Sequence, residues 1–80
     1  MVTPESIKYN IEHGMSTTHL SVRGDDGTHF EAVVVSEEFA GKSRVQRHQR
    51  VYQTLGDRMR EEIHALSMKT FTPQEWQEKT

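Results

Sequence analysis

Eighty residues, 32 % of them apolar and 28 % charged with a net charge of −2, suffice for one domain with a small two-layer core. The chain has no cysteine, which excludes a disulfide framework, a thiolate metal ligand and a cysteine nucleophile. The near-neutral charge exerts no global pull on nucleic acid. No apolar run approaches the roughly 20 residues a bilayer demands, and the first residues lack the charged and apolar regions of a signal peptide, so a cytoplasmic chain is expected.

Thr3-Pro4-Glu5 is helix-start grammar: a cap, a proline suited to the first turn, and an acid. The spacing predicts a helix over about 4–13, with Ile7, Ile11 and Met15 inward and Gly14 as its stop. Thr17–Arg23 alternates Thr18, Leu20 and Val22 against His19, Ser21 and Arg23, so it reads as a strand with one wet face. The turn residues Gly24-Asp25-Asp26-Gly27 lead into the β-branched run Phe30–Ser36, a more buried strand, and the pair reads as a hairpin.

Ser43 and Gln46 form a capping box for a helix from about Arg44. Val45, Val51, Tyr52, Leu55 and Met59 are expected toward the core, with Arg44, Arg47 and Arg50 on another face. Gly56 either ends this helix or is tolerated inside it, and Asp57–Glu62 still reads as helix. Ala65–Phe71 alternates again, Leu66 and Met68 against Ser67 and Lys69. Thr72-Pro73 with Glu75 then opens a last helix. The order αββαβα with a right-handed crossover predicts an α+β fold: a three-stranded mixed sheet, helices on one face, and His19, Ser21, Arg23, Ser67 and Lys69 on the other.

Histidine is the main candidate ligand type in a cysteine-free chain, and there are five. His64 stands at the entry of the last strand, where it either caps the core edge or binds a metal. His29 either pairs across the hairpin or is a ligand. His48 falls near the apolar stripe and reads as a packed helix histidine. His13 and His19 read as surface residues, and Trp76 as the anchor of the last helix. The basic set Lys42, Arg44, Arg47 and Arg50 is a solvated helix face or a surface for phosphate or a partner. No nucleophile–base pair or general acid–base pair is suggested by spacing, so an enzyme is not expected.

The runs Phe39-Ala-Gly-Lys-Ser, Arg47-His-Gln-Arg-Val-Tyr, His64-Ala-Leu-Ser and Thr72-Pro-Gln-Glu-Trp76, with Thr28-His29-Phe30 and Val33-Val34-Val35-Ser36, resemble the BolA family. The likeness covers about residues 7–76, and the compact length is similar to the IbaG-type bacterial members. The resemblance implies a KH-like fold of class II. It also implies a heterodimer with a monothiol glutaredoxin, in which a [2Fe-2S] cluster is bridged between the two proteins.

In that complex the glutaredoxin supplies a cysteine and a glutathione thiolate. This chain would supply His64 and a hairpin-loop group, His29 or, at the position of a loop cysteine in some members, Asp26. The isolated protein is then expected to be a monomer without a cluster. Longer members are proposed transcriptional regulators, so DNA is a second expected partner. Gly41-Lys42-Ser43-Arg44 has only the first glycine of the Gly-x-x-Gly loop with which KH domains grip a backbone, which counts against that binding geometry.

Overall fold

The computed structural model describes residues 2–26, 28–60 and 66–79, the side chains of 58–60 excepted. Expectations for Met59, His64 and the strand start at Ala65 lie outside the described residues, as does the helical reading of residues 61–62. The elements are α1 (Pro4–Gly14), β1 (His19–Arg23), β2 (Phe30–Val35), a 3-10 turn at Glu37–Phe39, α2 (Arg44–Arg60), β3 (Leu66–Phe71) and α3 (Pro73–Lys79). The sheet order is β1-β2-β3, antiparallel then parallel, which is the expected mixed sheet.

Local chemistry explains the boundaries. Thr3 Oγ1 accepts from Ser6 N and Ser6 Oγ from Thr3 N, a reciprocal cap at the start of α1. Ser43 and Gln46 make the same exchange at α2. The helical run of α2 breaks at Gly56, whose φ of 71° and ψ of 173° suit a residue without Cβ. Buried Ser36 closes the turn after β2: its hydroxyl donates to Ser16 O at 2.6 Å and accepts from Glu38 N at 3.0 Å.

One face of the sheet carries Phe30, Ala32, Val34 and Met68, which pack with Ile7, Ile11, Phe39, Val51 and Leu55 into the main core. Two expected core residues of α2 are not in it: Val45 is 65 % and Tyr52 is 44 % exposed. At about 100° per residue they sit roughly 80–100° round the helix from the Val51–Leu55 line, so their apolar chemistry misled the reading.

The other face is a grid set by the register. His19, Val35 and Phe71 form one row, Ser21, Val33 and Lys69 the next, and Arg23, Glu31 and Ser67 the third. α3 lies by the first row: Trp76 stacks on His19 at 4.8 Å and tilts against Phe71 at 5.3 Å. Val35 is fully buried although its parity turns it from the main core, so this aromatic group forms a second small cluster.

Gly14 does not act as a left-handed stop. It belongs to α1, and a Cβ there would meet Thr54 Cβ of α2 at 2.6 Å, so the glycine permits close helix packing. Gly14→Ala should destabilise the fold by about 1–3 kcal/mol by overpacking, measured by urea unfolding. An unchanged midpoint would mean the helices separate freely at that point.

Candidate functional site

The hairpin loop between β1 and β2 is organised by one carboxylate. Asp26 Oδ1 accepts from Thr28 N at 2.9 Å and from His29 N at 2.8 Å, an Asx turn. Asp26 Oδ2 lies 2.7 Å from His29 Nδ1. The backbone N–H of His29, then that of Thr28, then the imidazole hold the Asp26 carboxyl far below its ordinary pKa. The carboxylate is therefore ionised at neutral pH, and it faces Nδ1 as a hydrogen-bond acceptor, which leaves Nε2 as the ring nitrogen outside the turn.

The His29 side chain is 75 % exposed, and among the described residues nothing pairs with Nε2. A carboxylate on one imidazole nitrogen is how metal-binding histidines are oriented and made more basic. Asp26 thus bonds the turn and His29 with both oxygens, while the His29 ring stays exposed. Because Phe30 pairs with Leu66, β3 opens beside this loop, and a recess there is lined by Asp26, His29, Leu66 and Ser67. Among the described residues no three His, Asp or Glu side chains are grouped to hold a metal ion. His64 lies outside the described residues.

The four basic candidates divide in two. Arg47, with its side chain only 13 % exposed, donates to Glu75 at 2.7 and 3.4 Å, to Lys42 O at 3.0 Å and to Thr70 O at 3.5 Å. Arg50 donates to Glu38 at 2.9 Å and to Gly14 O at 3.2 Å, while Glu38 also accepts from Ser16 N at 2.7 Å. These arginines rivet α2 to α3, β3, α1 and the 3-10 turn. Lys42 and Arg44 are exposed and make no such bonds among the described residues. His48 is half-buried, and burial followed by the nearby Arg44 charge lowers its pKa. Glu38 and Glu75, the acidic halves of the rivets, were not singled out as pairing partners from sequence, because they lie 12 and 28 residues from their arginines.

The Arg47 guanidinium, then the Thr72 N–H, pull Glu75 down to a pKa of about 2 from 4.5. A depressed carboxyl stabilises the fold above its unfolded pKa and loses that contribution as pH falls through the folded value. Acidification from pH 5 to 2 should therefore loosen α3, read as a red shift of Trp76 emission. Glu75→Gln should show that looseness already at pH 7. Coincident emission from both proteins at pH 7 would rule out the clamp.

The elements and the loop define a protein class: an αββαβα mixed-sheet protein that presents a carboxylate-oriented histidine on its hairpin. Residues 2–75 match the family described as BolA-like protein, and the chain belongs to that family. It is 48 % identical over 61 residues to the DNA-binding transcriptional regulator BolA of Haemophilus influenzae, covering 76 % of this chain and 58 % of that protein.

It is also 42 % identical over 65 residues to the acid stress protein IbaG of Escherichia coli, covering 80 % of this chain and 76 % of the relative. A solved BolA homologue from Coxiella burnetii superposes with a TM-score of 0.82 at 49 % identity, covering 96 % of this chain and 99 % of that one. The relatives thus carry both the BolA and the IbaG names.

Proposed function

We propose that this chain is the histidine-donating partner of a monothiol glutaredoxin, sharing a bridged [2Fe-2S] cluster for iron–sulfur trafficking or iron and redox regulation. The observation that carries the reading is the His29 imidazole, oriented by Asp26 with Nε2 outward at the end of the sheet where β3 opens. His64 stands two residues before Leu66 in sequence and is the second proposed ligand.

The donor chemistry fits half a site. Imidazole is a competent iron ligand, but a cysteine-free chain needs thiolates from elsewhere to complete the set. Bound there, the cluster would supply redox-active iron. The chain itself contributes neutral imidazoles, a carboxylate that fixes one of them, and the surface on which a thiol-bearing partner rests.

The test is anaerobic reconstitution of a cluster on a glutaredoxin with glutathione, titrated with this protein and followed by visible circular dichroism. Wild type should convert the spectrum at a one-to-one ratio, and His64→Ala and His29→Ala should not. Asp26→Asn should need about 10–100-fold more protein, the range for losing a ligand's orienting group. A wild-type titration that leaves the spectrum unchanged would sink this reading, and conversion by His29→Ala would remove His29 from it.

A second reading is duplex nucleic-acid binding, supported by the naming of the Haemophilus influenzae relative as a DNA-binding regulator. With Arg47 and Arg50 held in ion pairs, Lys42 and Arg44 remain for phosphates. Two neutralised phosphates give a slope of log K against log[salt] of about −1.8, against about −3.6 for four. Fluorescence anisotropy on a labelled duplex measures it, and no detectable affinity at low salt disposes of the reading.

A further inference from the structure

The sheet face turned away from α1 and α2 carries a groove and an aromatic stack of which the duplex reading uses only Arg44. Its middle row, Ser21, Val33 and Lys69, lies in a shallow groove, and Arg23 and Glu31 of the third row line it too. Arg44, from the first turn of α2, lines the same groove. Three cations against one carboxylate make the groove locally basic in a chain whose net charge is −2. Arg23 and Glu31 pair at 3.1 Å, but both side chains are at least 70 % exposed, so water already competes for that bond. Lys69 and Arg44 are exposed and unpaired among the described residues.

One row along the strands, about 7 Å away, the surface changes from cationic to aromatic. Exposed His19 and half-buried Trp76 are stacked, and Lys79 Nζ stands 5.7 Å from the Phe71 ring centre. An open groove of cations leading to a stacked pair of rings, one exposed and one half-buried, is a combination that accommodates single strands: cations follow the phosphates and flat rings accept unpaired bases. A duplex hides its bases within the stack and would have no use for the rings.

We infer that the open sheet face, from the Lys69–Arg44 groove to the His19–Trp76 stack, binds a short single-stranded nucleic acid. Lys69 and Arg44 take phosphates, Arg23 exchanges Glu31 for a third, and a base stacks beside His19 and Trp76. Phosphate contacts and ring stacking carry the binding, so the site favours no particular sequence. This surface shares Arg44 with the duplex reading but rests on Lys69 and the rings in place of Lys42, and it requires no cluster and no glutaredoxin.

Trp76 is the only tryptophan, so the site reports on itself. The protein alone is titrated with a 12-nucleotide oligothymidylate in low salt, following Trp76 emission and, with labelled oligomer, anisotropy. Quenching should track the anisotropy isotherm, with a salt slope of about −2 for three phosphates on a single strand. Lys69→Glu and Arg44→Ala should each weaken binding about tenfold, and Lys69→Gln by less, since it removes charge without reversing it. Far-UV circular dichroism checks that these surface variants stay folded.

Absence of binding by anisotropy overturns the inference. So does binding that leaves Trp76 unquenched, that depends on Lys42 in place of Lys69, or that is as tight for a duplex as for the single strand. None of these outcomes bears on cluster sharing, because no partner or metal is present in the experiment.

Discussion

A slip of one residue by β2 against either neighbour would turn Phe30, Ala32 and Val34 out of the main core and bring Val33 and Glu31 in. That parity is the constraint on which the remaining geometry rests. β2 is the central strand, and the burial of Phe30, Val34 and Val35 at 0–1 % holds its register on both sides. With the register fixed, Phe30 must face Leu66, which brings the hairpin loop to the opening of β3. Val35 must face His19 and Phe71, which prepares the apolar seat for Trp76. Both ends of the sheet acquire their chemistry from one alternation pattern.

Carboxylates then organise the irregular parts. Asp26 folds the hairpin loop around itself, Glu38 gathers Ser16 N and Arg50, and Glu75 caps α3 and holds Arg47. Each is partly exposed, so the gain in stability from each pair is small, and geometry is the greater consequence. The Arg47 guanidinium shows this most clearly. By reaching Thr70 O and Glu75 together, it fixes α3 against the end of β3 and sets where Trp76 lies.

The element order, mixed sheet and polar face were legible in the sequence because they depend on period, parity and turn residues, all local properties. Val45 and Tyr52 were misread because residue type was weighed above angular position on α2. Gly14 was misread because a glycine at a helix end has two uses, and only the Thr54 contact distinguishes them. At the hairpin, sequence identified Asp26 and His29 as the candidates but not which of them orients the other. That ordering follows from Asx-turn geometry, which commits both Asp26 oxygens. The fate of Arg47 and Arg50 was invisible for a different reason: α-helical spacing reports which cations share a face, and says nothing of acids that the fold brings up from distant segments.

The hairpin and the middle of the open face differ in sign, and that difference constrains any account with more than one partner. Asp25 and Asp26 stand toward the hairpin and Lys69 and Arg44 toward the middle of the sheet, while the paired Arg23 and Glu31 line both recesses. Val33, which pairs with Lys69, is three residues beyond Phe30, or about 10 Å at strand rise. A stable protein interface covers on the order of 800 Å² per partner, a patch far wider than that separation. A protein seated on His29 would therefore reach the groove, and a strand held in the groove would narrow the seat. Linkage then requires that each weaken the other by the same factor. Occupancy of the hairpin would be reported along the sheet by competition for area, without any rearrangement of the fold.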